Sequence, residues 1–271
     1  MHLTFDCAES VRIPHHAQEP ASAWHVGDAP QSRNNIISMM DHYIRTYYVP
    51  ESVSELYLHA DNCPGQNKSQ YVMHYMAYLV AMRRFQKISY AFMITKCTTD
   101  GAFGVMKRVF CRRHTIQTSD DVMDVVDASS SEQVDHVDTS TGEVQWYDWG
   151  EFFSQFRCQA MPGMAQNHVF EYERSPDPLS VSMYEWSSDL LVEGKGECLR
   201  LFPSHMRAEM LAHPAEHGVK NISEFTLNPV KLSKNRCDVL HDLLPGFLTV
   251  EGKIKVCFMH ICIFMHKSKY A

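Results

Sequence analysis

Between Ser54 and Arg113 the chain changes periodicity three times, and this alternation limits the folds open to it. Residues 54–60 (SELYLHA) alternate apolar and polar side chains, which is the period of a strand. Val72, Met73, Tyr75, Met76, Leu79 and Val80 then recur at helical spacing, with Arg83 and Arg84 in the last turn, where cations suit the dipole. Ile88 to Ile94 (ISYAFMI) is almost continuously apolar, as in a strand covered on both faces. Ala102, Phe103, Met106, Val109 and Phe110 return to the helical period, with Lys107, Arg108, Arg112 and Arg113 on another face. Upstream, residues 2–6 (HLTFD) read as a short strand. Ile36, Ile37, Met40, Tyr43, Ile44 and Tyr47 read as a helix, with candidate caps at Ser32, Asn34 and Asn35 and Pro50 beyond its end. Strands and helices in this order predict an α/β fold with a mixed sheet flanked by helices.

Charge divides the chain. Residues 1–117 hold 12 Lys and Arg against 9 Asp and Glu, while residues 118–271 hold 13 against 23. From Thr118 to Glu143 there are eight acids and no Lys or Arg. That run predicts an exposed connection or a short solvated helix followed by a loop. The expected organisation is a core over 1–117, an acidic connection over 118–143 and an irregular α+β extension over 144–271. Within the extension, Asp148 to Arg157 reads as a helix, and Asn167–Glu173 and Leu179–Trp186 read as strands. A net charge of −7 and a pI near 6.1 exclude a uniformly basic nucleic-acid binder, so any such role must use a local patch.

Nine cysteines without a C-x-x-C pair read as reduced, intracellular thiols. Cys257, His260, Cys262 and His266 lie close together, but their spacing fits no zinc finger and the residues between them are strongly apolar. The opening MHLTFDCAES has neither the basic nor the apolar region of a secretory signal. The most apolar stretch, Val256 to Met265, has ten residues where about 20 are needed to span a bilayer. The expectation is an intracellular chain without a membrane segment, with the nucleus as one candidate compartment.

Three acids fall at element ends. Asp6 ends the first strand, Asp61 ends the strand 54–60, and Asp100 stands at the start of the helix after the strand 88–94. In open α/β sheets, groups at strand C-termini collect along one edge, where ligands bind. Three carboxylates there could hold a pair of Mg²⁺ or Mn²⁺ ions, which prefer oxygen ligands and can promote displacement at phosphorus. Each acid has a plainer reading as well: Asp100 as a helix cap, Asp61 as an Asx turn before Pro64-Gly65, and Asp6 as an exposed terminal residue. Asn62, Gln66, Asn67 and Lys68 follow Asp61 in a turn leading into a helix, where their amides and ammonium could bind phosphate oxygens or merely cap the helix. Lys96 and Lys107, with Arg108, Arg112 and Arg113, could track a nucleic-acid backbone or form a solvated helix face.

The stretch Leu58–Tyr71, LHADNCPGQNKSQY, closely resembles the signature D-N-C-x-G-Q-N-K-N of an uncharacterised eukaryotic family, a domain of unknown function found largely in transposon-derived proteins. That family shows G-H-T-K and then D-x-x-F-G-x-x-K downstream. The corresponding residues here are Thr95-Lys96, Asp100, Phe103-Gly104 and Lys107. Its opening strand ends in Asp-Tyr-Ala, which Asp6-Cys7-Ala8 resembles, and Tyr147-Asp148-Trp149 and His168–Tyr172 are similar to later parts. The resemblance implies an RNase H-like fold of transposase or integrase type, with an acid triad on the first strand, the fourth strand and a later helix. Asp6, Asp61 and Asp100 match those places, as catalytic and metal-binding residues alike, with 38 residues between the last two. Departures are Met93-Ile94 before the Thr-Lys pair and Ser69 for the last Asn of the signature. Only 26 residues separate Asp6 from Arg33, where an RNase H-like sheet needs two further strands. The expected sheet therefore lacks central strands.

Two functions follow as expectations. One is metal-dependent cleavage or strand transfer on nucleic acid by a transposon-derived nuclease or transposase. The other is a non-catalytic, domesticated or decayed copy that binds nucleic acid or protein.

Overall fold

The computed structural model describes residues 1–7, 15–16, 33–48, 53–93, 98–113, 115–116, 119–130, 144–227 and 262–266; for residues 6–7, 15–16, 33, 98–100, 115, 119 and 262–266 it describes the backbone alone. Of the residues between Asp6 and Arg33, only 7 and 15–16 are described, and Lys96 also lies outside the described residues.

The elements follow the predicted alternation. Strand β1 (His2–Cys7) precedes β2 (His15–His16), α1 (Arg33–Tyr47), β3 (Glu55–Asp61), α2 (Gln70–Ala81), β4 (Lys87–Met93) and α3 (Thr98–Arg112). After β5 (Thr115–Ile116) come α4 (Ser119–Ser129), α5 (Trp149–Ser154), β6 (Val169–Glu173), β7 (Ser180–Tyr184), β8 (Glu197–Arg200), α6 (Ala208–Ala212) and β9 (Cys262–His266). The main sheet is mixed, with strand order β8-β7-β6-β4-β3-β1-β9. Strands β1, β3 and β4 run parallel; β6, β7 and β8 continue the sheet antiparallel from β4. Residues 169–200 therefore extend the same sheet as the first half of the chain. On the far side of β1, where residues 7–32 were expected to leave a gap, β9 pairs antiparallel over Leu3 to Cys7. The two-residue strands β2 and β5 form a separate two-stranded antiparallel sheet.

Period-two patterning sorts the parallel strands into two faces. Leu3, Phe5, Leu56, Leu58, Ala60, Ile88, Tyr90 and Phe92 are buried on one face; Thr4, Tyr57, His59, Asp61, Ser89 and Ala91 are half-buried on the other. Helix α2 is apolar almost all round because it is enclosed: it packs on β4 and β6 and against α1, α5 and α6. The half-buried face is tied across β4 and β6 by Lys87 Nζ, which reaches Glu171 at 3.0 Å and Glu173 at 3.1 Å.

The Tyr147-Asp148-Trp149 segment is an anchor. Asp148 caps α5 by accepting from Glu151 N at 3.0 Å and also accepts from Asn34 Nδ2 at 3.0 Å. Asn34 Oδ1 in turn accepts from Gly150 N at 3.1 Å. Ser38 Oγ accepts from both Tyr147 N and Trp149 Nε1. Two helix starts 116 positions apart are thus joined through side chains that satisfy otherwise orphaned amide groups.

A second, smaller core lies between α3 and α4: Met106, Ile116, Val122, Val125 and Val126 are buried there, with Phe103 and Phe110 against them. The acidic run is therefore amphipathic where it forms α4, with Asp120, Asp124 and Asp127 exposed and the valines inside.

His74 of α2 is fully buried among Tyr71, Phe153 and Phe202, and neither ring nitrogen has a partner in hydrogen-bonding geometry. Burial pushes its pKa down to about 4, offset slightly by the Gln159 backbone nearby. A depressed folded-state pKa means that between its usual value near 6.5 and 4 the unfolded chain holds a proton the folded chain does not. Folding is then stabilised above pH 6.5 and loses that contribution as pH falls to 4, by about 3 kcal/mol at most. Urea unfolding of wild type and His74→Leu across this range should show a steeper acid loss for wild type. Parallel slopes would contradict this assignment.

Candidate functional site

The C-terminal ends of β1, β3 and β4 form one edge of the sheet, and the sequence-predicted residues can be placed relative to it. The register pairs Phe5 with Ala60 and Asp61 with Met93, so Asp6 and Asp61 are the next residues on two adjacent parallel strands. Asp61 is half-buried and alternates with Tyr57 and His59 on the sheet face opposite α2. Asp100 was expected to precede its helix. The helix begins at Thr98 instead, so Asp100 lies inside the first turn, and α3 lies against β1. Among the described residues no three His, Cys, Asp or Glu side chains meet in a metal-binding group; the side chains of Asp6 and Asp100 are outside that set.

Beyond Asp61 the chain closes a tight loop. Gln66 N and Lys68 N both donate to Cys63 O, at 3.4 and 3.1 Å, and Gly65 N donates to Lys68 O at 3.3 Å. Gly65 turns the chain at φ +81, a left-handed conformation that favours glycine. Ser69 then caps α2 by accepting from Val72 N at 3.4 Å. Ser69 thus serves as an N-cap, a role Ser and Asn fill about equally well.

The polar loop residues are not equivalent. Asn62 and Gln66 are half-buried, whereas Asn67 and Lys68 are buried. Asn67 O accepts from Tyr90 Oη at 3.0 Å, but both atoms of its side-chain amide lack a partner, as does Asn62 Oδ1. Buried polar atoms are rarely left unpaired, so these positions are ones that a water or ligand would complete. The Lys68 ammonium lies 5.2 Å from the Phe92 ring centre and donates to Ala165 O at 3.2 Å. Burial lowers its pKa, and no carboxylate pairs with it among the described residues. Lys107 is exposed on α3.

A set of supporting contacts was not legible in the sequence. The connection between α5 and β6 props the loop: Gln159 O accepts from Gln70 Nε2 at 3.1 Å, Ala165 O holds Lys68, and His168 O accepts from Phe92 N at 2.8 Å. These contacts span 76 to 97 positions and join backbone carbonyls, which carry no residue-type signal.

The arrangement offers oxygen donors from Asp61 and Asn62 at a sheet edge, an acidic position on the neighbouring strand and another at a helix start. Such a donor set suits a hard divalent cation rather than zinc. No helix among the described residues is long and apolar enough to cross a membrane.

Comparison with curated proteins and with solved structures gives no match. A family model described as "Domain of unknown function (DUF7869)" matches residues 13–189. The span begins after β1 and contains Asp61, the polar loop, α3 and the Tyr147-Asp148-Trp149 anchor. Covering well over half of the chain, it shows that this chain belongs to that family of domains of unknown function.

Proposed function

We propose that this chain is a transposon-derived, RNase H-like domain that performs metal-dependent phosphoryl transfer on nucleic acid, with Asp6, Asp61 and Asp100 as the carboxylates. The observation that carries the reading is the register of β1 and β3. It sets residues 6 and 61 side by side at the C-terminal edge, with α3, whose first turn holds Asp100, packed against β1. Three consecutive parallel strands ending at an acidic edge, and an antiparallel strand outside β1, support the RNase H-like reading.

In this reading the three aspartates would hold two Mg²⁺ or Mn²⁺ ions. When bound, such ions activate an attacking hydroxyl and neutralise charge at phosphorus. The chain's own contributions are positional. Asp61 is fixed by its place in β3, and Asn62 presents an unpaired amide oxygen beside it. Lys68, held by Ala165 O, keeps the loop folded over Phe92. The N-terminus of α2 faces the same edge, and its positive end favours an anionic substrate there. A nuclear setting would give such a domain access to DNA.

The test pairs binding with chemistry. Mn²⁺ binding to the full chain, followed by water-proton relaxation, should be strong for wild type and much weaker for Asp61→Asn. Mn²⁺-dependent cleavage of labelled nucleic acid should fall with it. Mn²⁺ binding that is unaffected by the substitution would remove the proposed metal site. Retained nucleic-acid binding with no cleavage by wild type would favour the non-catalytic module.

A further inference from the structure

Helix α3 presents a face that nothing in the described fold uses. Gly101, Gly104, Arg108 and Arg112 follow at helical spacing along one stripe, and all four are exposed. The stripe lies opposite Phe103, Met106 and Phe110, which pack toward α4. Lys107 on α3 and Arg113 just beyond its end are also exposed. Arg108, Arg112 and Arg113 have no ion-pair partner among the described residues. No acid follows Asp100 before the helix ends. The exposed acids Asp120, Asp124 and Asp127 belong to α4, on the packed side of α3, and would repel a polyanion from that side.

The two glycines sharpen the meaning of this cationic face. Neither has a positive φ, and a Cβ added at either would meet no atom within 4 Å. The fold therefore has no steric need for glycine at these positions, although glycine is the poorest helix former after proline. A flat first turn beside Asp100 followed by a row of arginines suits a sugar-phosphate backbone lying along the helix. From residue 101 to 112 the stripe runs about 16 Å, a length over which one duplex strand carries roughly five phosphates.

The geometry points to α3 as the docking rail for a nucleic-acid backbone: Gly101 and Gly104 allow close approach beside Asp100, and Arg108 and Arg112 neutralise the phosphates that follow. The inference rests on the proposed phosphoryl-transfer reading for its placement of the scissile bond at Asp100. The docking itself needs no chemistry, and it can be tested separately.

The experiment measures fluorescence anisotropy of a labelled duplex DNA of about 30 base pairs, and of its single strand, with the full chain in EDTA at several salt concentrations. Arg108→Ala and Arg112→Ala are each expected to lower the slope of log affinity against log salt by about 1. The Gly101→Ala/Gly104→Ala double variant is expected to raise Tm by a few degrees yet weaken binding about tenfold. A gain in stability with a loss of binding is an outcome that a purely structural role for the glycines does not give. Unchanged affinity and salt slope in the arginine variants would overturn the inference, as would a wild type that binds neither probe or a glycine variant that binds as tightly as wild type. If binding behaves as expected but wild type never cleaves in Mn²⁺, the docking rail stands and the phosphoryl-transfer reading falls. If cleavage depends on Asp61 but the arginine variants bind normally, the rail alone falls.

Discussion

Exchanging Asp61 for Asn is expected to lower Mn²⁺-dependent cleavage by about a thousandfold or more while leaving the thermal midpoint within a few degrees. The substitution keeps the size and shape of the side chain and removes its charge. Asp61 closes β3 beside another aspartate at the adjacent position of β1. Like charges at neighbouring sheet positions are destabilising, so removing one should cost the fold nothing or stabilise it slightly. An acid kept for structure would behave in the opposite way, since losing a cap or a turn typically costs about 1 kcal/mol. The chemical side is larger. Metal-centred charge stabilisation is worth several kcal/mol in a transition state, and a thousandfold loss corresponds to about 4 kcal/mol. Single-turnover cleavage of labelled nucleic acid and a thermal melt on the same samples separate the two readings. Cleavage within tenfold of wild type, or a large drop in Tm with no specific loss of cleavage, would show that Asp61 is structural.

The parts of this fold that could be read in advance were those encoded by local periodicity. Strands β3 and β4 and helix α1 lie within a residue or two of the runs that predicted them, because each carries a continuous apolar face; α2 and α3 are helices as read, but α2 stops at Ala81, short of Arg83 and Arg84, and α3 starts at Thr98, ahead of Asp100. The parallel order of β1, β3 and β4 followed from the helices between them. Strand β9 was hidden because its pairing is with residues more than 250 positions away, and nothing local tells a core strand from a buried helix in so short an apolar run. A short solvated helix was one reading of the acidic run, and α4 is that helix; what its charge hid was the inward face made by Val122, Val125 and Val126 at helical spacing. In the site, the sequence marked Asp61 and the loop after it by their density of polar residues. It did not show that Asn67 and Lys68 turn inward, because burial of a loop side chain depends on what covers the loop. Here the cover comes from residues 159–168, a segment with no motif of its own. Polar density therefore signalled a constrained loop, without separating the residues that build it from those that meet a ligand.

Removing the Trp149 side chain should have the largest effect on stability of any substitution considered. Trp149 is fully buried, with ring centres of Tyr75 at 5.0 Å, Tyr147 at 5.8 Å and Tyr78, Phe152 and Phe153 each near 6.0 Å. Truncation of a buried aromatic to Ala costs about 3–5 kcal/mol, from lost transfer free energy and the cavity left behind. The polar loss is small by comparison. Ser38 Oγ keeps its bond from Tyr147 N when the indole N–H is gone, so no buried acceptor is stranded. A loss of about 4 kcal/mol is a large share of the 5–15 kcal/mol that holds a typical domain together. For a chain of this size it corresponds to a fall in Tm of roughly 8–16 °C. Trp149→Phe keeps a ring in the cluster and is expected to cost about 1–2 kcal/mol. The consequences should reach the sheet edge, because α5 and α2 pack on each other and the loop after Asp61 is propped by the chain that leaves α5. Limited proteolysis of Trp149→Phe should therefore show faster cutting within residues 62–69 than in wild type, even under conditions where the variant is fully folded. Urea unfolding with an unchanged m value and a Trp149→Ala cost below about 1.5 kcal/mol would mean that the aromatic cluster can close over the gap, and the coupling between α5 and the loop would lose its basis.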